Sequence, residues 1–156
     1  MAHGVSGLYV KKPNRPDKSI ASQLRLVSLT RPDILVIVCG SNDLSSSVCN
    51  IHQLVTDLIS VARYCLHAGV KRVIISQHWP RSADRYPGFW DRAVVFTEHM
   101  SRRVQGEHAI SFWRQQCLWH SPKPVLLADG CHLNTRGTKI FLRNIRGAIL
   151  QGIKTI

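Results

Sequence analysis

A chain of 156 residues is long enough for one domain with a sizeable core, and its apolar fraction of 44% is ordinary for a globular protein. Twenty-one Lys and Arg against nine Asp and Glu give a net charge of +12, which attracts polyanions at low salt, yet no aromatic residues interleave with the basic ones as in a nucleic-acid-binding signature. No apolar run approaches the roughly 18–20 residues of a membrane span, the first residues lack the basic region and apolar core of a secretory leader, and five irregularly spaced cysteines form no disulfide framework, so the expectation is a cytoplasmic protein with free thiols.

In chain order, Asp17 is placed to cap a helix over 18–29, with Ile20, Leu24 and Val27 facing inward. The stretch 31–43, RPDILVIVCGSND, reads as a strand: the six apolar residues Ile34 to Cys39 point to burial on both faces, and Gly40 ends the run. Residues 51–68 have helical periodicity, with Ile51, Leu54, Val55, Leu58, Ala62, Cys65 and Leu66 on one face and Gly69 at the C-terminal cap. Residues 71–77 form the next strand, 79–90 a loop, and 90–105 a weaker helix. Two short strands follow at 109–113 and 125–129, then a helix from Asn134 or Thr135 to about Gly152. Strands alternating with helices predict a mainly parallel sheet covered on both sides, a three-layer α/β/α sandwich in a single domain over 1–156. The motifs contain no internal repeat or low-complexity segment.

In such sheets ligands bind beyond the C-terminal ends of the strands. Two polar clusters sit there, Gly40-Ser41-Asn42-Asp43 and Asp129-Gly130-Cys131-His132. A carboxylate at Asp129 can accept the Nδ1–H of His132, fix its tautomer and leave Nε2 free as a base. The same spacing also suits a turn-capping Asp beside an interface histidine. A zinc set of Cys117, His120, Cys131 and His132 matches no common ligand spacing. The Asn42 amide is a donor that could face an oxyanion or close an Asx turn, with Asp43 bracing the loop. Four aromatics in loop 79–90 (Trp79, Tyr86, Phe89 and Trp90) are expected at a pocket rim, and Arg81 fits either an ion pair or a substrate contact.

These pieces together resemble a family. GSND after a buried strand, DGCHLN ahead of a terminal helix and GVSG at 4–7 resemble blocks of the SGNH (GDSL-type) hydrolase superfamily. WPR at 79–81, ISFW at 110–113 and DGCHLNTRG look most like the SGNH-type domains of animal genomes, including those linked to retrotransposon-like reading frames. The resemblance implies an SGNH/flavodoxin-like fold and hydrolysis of a small ester or acylated substrate without a cofactor. It implies that His132 is the base, that Asp129 orients it, and that Gly7, Gly40 and Asn42 belong to the oxyanion hole. The family's nucleophilic serine block lies upstream of the second-block glycine, and no GDS-like segment occurs here. Ser6, Ser41 and Ser45 to Ser47 do not match the nucleophile position, so that role is unassigned. The domain is expected to be N-terminally incomplete, without its first strand, and to self-associate through the exposed edge. The alternative is a catalytically inactive relative that binds a small ligand or nucleic acid.

In the terminal helix, Arg136, Lys139, Arg143 and Arg146 recur at spacings of three and four, opposite Phe141, Ile145, Ala148, Ile149 and Gly152. With Lys11, Lys12, Arg102 and Arg103, this stripe is a candidate for salt-sensitive polyanion binding, to DNA or RNA for example.

Overall fold

Three short apolar segments form the centre of the computed structural model, which describes residues 8–11, 14–121 and 124–156. Strands β1 (Ile34–Ile37), β2 (Arg72–Ser76) and β3 (Ile110–Trp113) are all parallel and lie in that order, with Ile37 opposite Ile75 and Ile75 opposite Phe112. Alternation along β2 sends successive side chains to opposite faces. Val73 and Ile75 join the main core with Leu58, Ile59, Ala62 and Cys65 of helix α3 (Ile51–His67) and Phe89, Phe96 and Met100 of helix α4 (Phe89–Arg103). Ile74 points the other way, to helix α5 (Thr135–Ile153), where Gly152 lets the helix backbone settle onto Ile34 and Ile74. The result is an α/β fold with helices on both sides of a parallel sheet, as the patterning predicts. Among the described residues β1 is one edge of the sheet, and no helix is long and apolar enough to cross a membrane.

Three local expectations change. The helix expected over 18–29 is two 3₁₀ turns, Pro16–Lys18 and Ile20–Gln23, leading into α1 (Leu24–Thr30). Asp17 caps nothing there, because Arg15 holds its carboxylate at 3.0 and 3.1 Å. Residues 41–44, read as loop, form a single helical turn, α2 (Ser41–Leu44), started by Gly40 at φ +108°. Residues 125–129 are not a strand of the sheet. Leu126 bridges Leu133 antiparallel, Leu127 N–H donates to His132 O at 2.8 Å and Asn134 N–H to Val125 O at 2.9 Å, so the segment pairs with its own continuation.

That self-paired loop is locked to α5 at two points. The Asn134 side chain accepts from Gly137 N–H at 2.9 Å and caps the helix. A Cβ on Gly137 would stand 2.3 Å from the Val125 carbonyl oxygen. Gly137→Ala must therefore push loop and helix apart; a loss of about 1–3 kcal/mol in urea unfolding is expected. An unchanged midpoint would show that the approach is not tight.

Candidate active site

The self-paired loop presents Asp129 and His132 together. Asp129 Oδ2 lies 2.6 Å from His132 Nδ1, and Oδ1 accepts the backbone N–H groups of Cys131 at 2.9 Å and His132 at 3.0 Å. The hydrogen bond from His132, followed by those two backbone donors, holds the Asp129 carboxyl well below the usual carboxylate range. An ionised Asp129 accepts, so Nδ1 carries a hydrogen, and in the neutral ring Nε2 is then the acceptor. The His132 side chain is 68% exposed, which leaves Nε2 open to a reactant.

The turn is anchored from loop 77–90. Ser82 N–H donates to Gly130 O at 2.9 Å, and the Trp79 indole donates to Cys131 O at 2.8 Å. Gly130 has φ +66°, and a Cβ there would fall 2.2 Å from Ser82 Oγ, so both the conformation and the space require glycine. The Tyr86 hydroxyl meets the Cys131 side chain, which raises the Tyr86 pKa.

The same loop holds the second cluster through Arg81, which is 95% removed from solvent by its 5% exposure. Its guanidinium donates to Ser45 Oγ at 2.6 Å and Asn42 Oδ1 at 2.8 Å, with a weaker contact to Ser41 Oγ at 3.4 Å. It also stands over the Tyr86 ring, 4.7 Å from the centroid. Among the described residues no carboxylate pairs with it. Asn42 is thereby oriented: Arg81 holds its oxygen and one amide N–H donates to Leu8 O at 2.8 Å. Asp43 braces the N-terminal segment by accepting Val10 N–H at 3.1 Å.

The structure thus brings together His132 and Asp129, and ties their turn through Arg81 and Ser82 to Ser41 and Asn42, which follow Gly40. Gly7 lies outside the described residues. Cys117, His120 and Cys131 form no metal-holding cluster with His132 among the described residues. Of the four aromatics in loop 79–90, Phe89 is fully buried while Trp79, Tyr86 and Trp90 are half-buried, and the Trp90 indole donates to Arg81 O at 2.9 Å. A cavity of about 320 Å³ borders α2 through Asp43 and is lined by Tyr9, Val10, Cys49 and Leu54 among others.

Sequence reasoning left Arg81 open between an ion pair and a substrate contact, and it missed His78. Arg81 follows a buried strand in a parallel fold, and that position is the signal that marks it. His78 has none: it is 1% exposed, packs on Phe89, Phe96 and Trp119, and neither ring nitrogen has a partner among the described residues. Burial, helped by the Arg81 charge, lowers its pKa to about 3.

No protein-family model matches the chain, and no curated protein matches it. Solved structures do. A carbohydrate esterase family 3 protein from Talaromyces cellulolyticus aligns at TM-score 0.66 and 20% identity over 83% of this chain and 63% of that one. A lipase/acylhydrolase from Enterococcus faecalis aligns at TM-score 0.64 and 18% identity over 85% and 70%. A Bacteroides fragilis protein assigned as an acylhydrolase aligns at TM-score 0.63 and 17% identity over 78% and 62%. The fold is therefore that of the acylhydrolases and esterases, as the SGNH-type motifs imply. The chain spans between 62% and 70% of the length of these structures. They are bacterial and fungal proteins and do not bear on the animal branch of the resemblance.

His78 makes stability depend on pH. It is neutral in the fold down to about pH 3 and protonates near its ordinary 6.5 when unfolded. Its contribution is complete above pH 6.5 and is lost as pH falls towards 3, with a slope of up to about 1.4 kcal/mol per pH unit. Urea midpoints between pH 7 and pH 4.5 are expected to fall in the wild type and to flatten in His78→Phe. Parallel curves for the two would assign the acid sensitivity elsewhere.

Proposed function

We propose that this chain carries the base and oxyanion portions of an acyl-ester hydrolase site acting on small esters or acylated compounds. The observation behind this is the 2.6 Å contact between Asp129 and His132, with Nε2 exposed beyond the C-terminal ends of the strands. In this reading Nε2 takes the proton of an attacking hydroxyl, and Asp129 steadies the imidazolium that forms. Asn42, turned by Arg81, offers its second amide N–H to the developing oxyanion, in company with Gly40 and Gly7.

The nucleophile is the open role. Among the described residues no serine hydroxyl hydrogen-bonds His132. Ser45 is committed, donating to Ser41 O at 2.8 Å while accepting from Arg81. Ser82 packs against the Gly130 turn and is the better-placed serine to test.

Hydrolysis of p-nitrophenyl acetate tests the reading. His132→Ala is expected to abolish activity above the buffer rate, and Asn42→Ala to lower kcat by about 10²–10³ without unfolding the protein. Ser82→Ala and Ser45→Ala then locate the hydroxyl. Equal rates for the wild type and His132→Ala would sink the hydrolase reading for these residues and favour a binding role for the fold.

A further inference from the structure

Helix α5 buries one side against β1 and β2 and turns the other to solvent. Arg136, Lys139, Arg143 and Arg146 are all exposed, and among the described residues none is ion-paired. Residues 130–156 contain no Asp or Glu to offset these cations or Lys154. At 3.6 residues per turn the four cations occupy an arc of about 80°. Exposed aliphatic side chains share that outer face: Leu142 at 59% and Ile153 at 54% along one border with Ile149, expected inside but 38% exposed, and Leu150 at 48% within the arc.

Single exposed aliphatics are ordinary on a protein surface, but here four lie beside four cations on one helix, whereas a single strand of nucleic acid is gripped by cations together with aromatic side chains. This outer arc carries no aromatic residue. Cations beside aliphatics instead match the layered chemistry of a lipid surface, where phosphates lie above acyl chains.

We propose that the outer face of α5 docks on an anionic phospholipid surface. Arg136, Lys139, Arg143 and Arg146 meet headgroup phosphates, and Leu142, Leu150 and Ile153 enter the boundary with the acyl chains. The proposal does not depend on the hydrolase reading, since no group of the candidate site takes part.

Vesicle flotation tests it, using phosphatidylcholine vesicles with and without phosphatidylserine, at low and moderate salt. A fluorescent oligouridylate and a DNA duplex serve as competing ligands. The wild type is expected to float with the anionic vesicles only, and less so as salt rises. R143Q/R146Q is expected to weaken partitioning about 25-fold, at about fivefold per cation. L142S/L150S is expected to weaken it as well, while leaving any RNA affinity unchanged. Circular dichroism confirms that both variants fold. Equal flotation of wild type and R143Q/R146Q overturns the proposal. So does absence of flotation, whether the oligonucleotides bind in a salt-sensitive way, which gives the face to nucleic acid, or bind not at all, which leaves a solvated surface.

Discussion

The candidate site depends on a buried guanidinium with no carboxylate beside it among the described residues. Taking a charge out of water costs several kcal/mol even after relaxation, unless fixed polar groups replace the solvent. Around Arg81 those groups are the oxygens of Ser45, Asn42 and Ser41 and the π face of Tyr86. Each of them is also part of the site's framework. Pairing the two terminal nitrogens of Arg81, while Nε stays without a partner among the described residues, sets the rotamer of Asn42 and ties up the Ser45 hydroxyl. The next peptide carries Ser82, whose N–H grips the Gly130 turn. Two motifs almost ninety residues apart in sequence are made neighbours by one positive charge and the backbone on either side of it.

Electrostatic environment then leaves two titratable groups near this frame in opposite charge states. Asp129 is exposed and surrounded by donors, so it stays ionised. His78 is buried among aromatic rings with the Arg81 charge nearby, so it stays neutral. The first arrangement suits a carboxylate that must orient an imidazole without taking its proton. The second packs an imidazole as though it were a hydrocarbon ring, and its two nitrogens, unpartnered among the described residues, are a cost to the fold.

Much of the architecture was legible because it rests on local rules. The run Ile34 to Ile37, the helical stripe of α3 with Gly69 beyond its end, and the Asn134 cap of α5 all follow from periodicity and capping chemistry, and the structure places them so. The Asp129–His132 pair was legible for the same reason, being a contact across one turn. What sequence missed is long-range. Residues 125–129 have the composition of a strand but pair with 132–134, because Asn134 and Gly137 draw the loop onto α5 before it can reach β3. The aromatics of 79–90 were read as a rim, yet the indoles of Trp79 and Trp90 are spent on backbone carbonyls. Arg81 was ambiguous because its partners, Ser41, Asn42 and Ser45, lie about forty positions away.

Helix α5 joins the two halves of the functional argument. Its inner face is pared down at Gly137, Ala148 and Gly152, so the backbone rides close to Val125, Ile34 and Ile74. Its first turn is capped by the residue two places after His132. The Asp129–His132 turn and the helix are thus one piece, with hydrogen bonds at the cap and van der Waals contact along the inner face. Because small residues serve the inside, the long side chains, both cationic and aliphatic, are left to the outside. A surface that holds the outside of α5 also fixes the position of His132 relative to itself, without any change of conformation. An acyl-ester hydrolase site so carried would meet its substrate at that surface rather than in bulk solution.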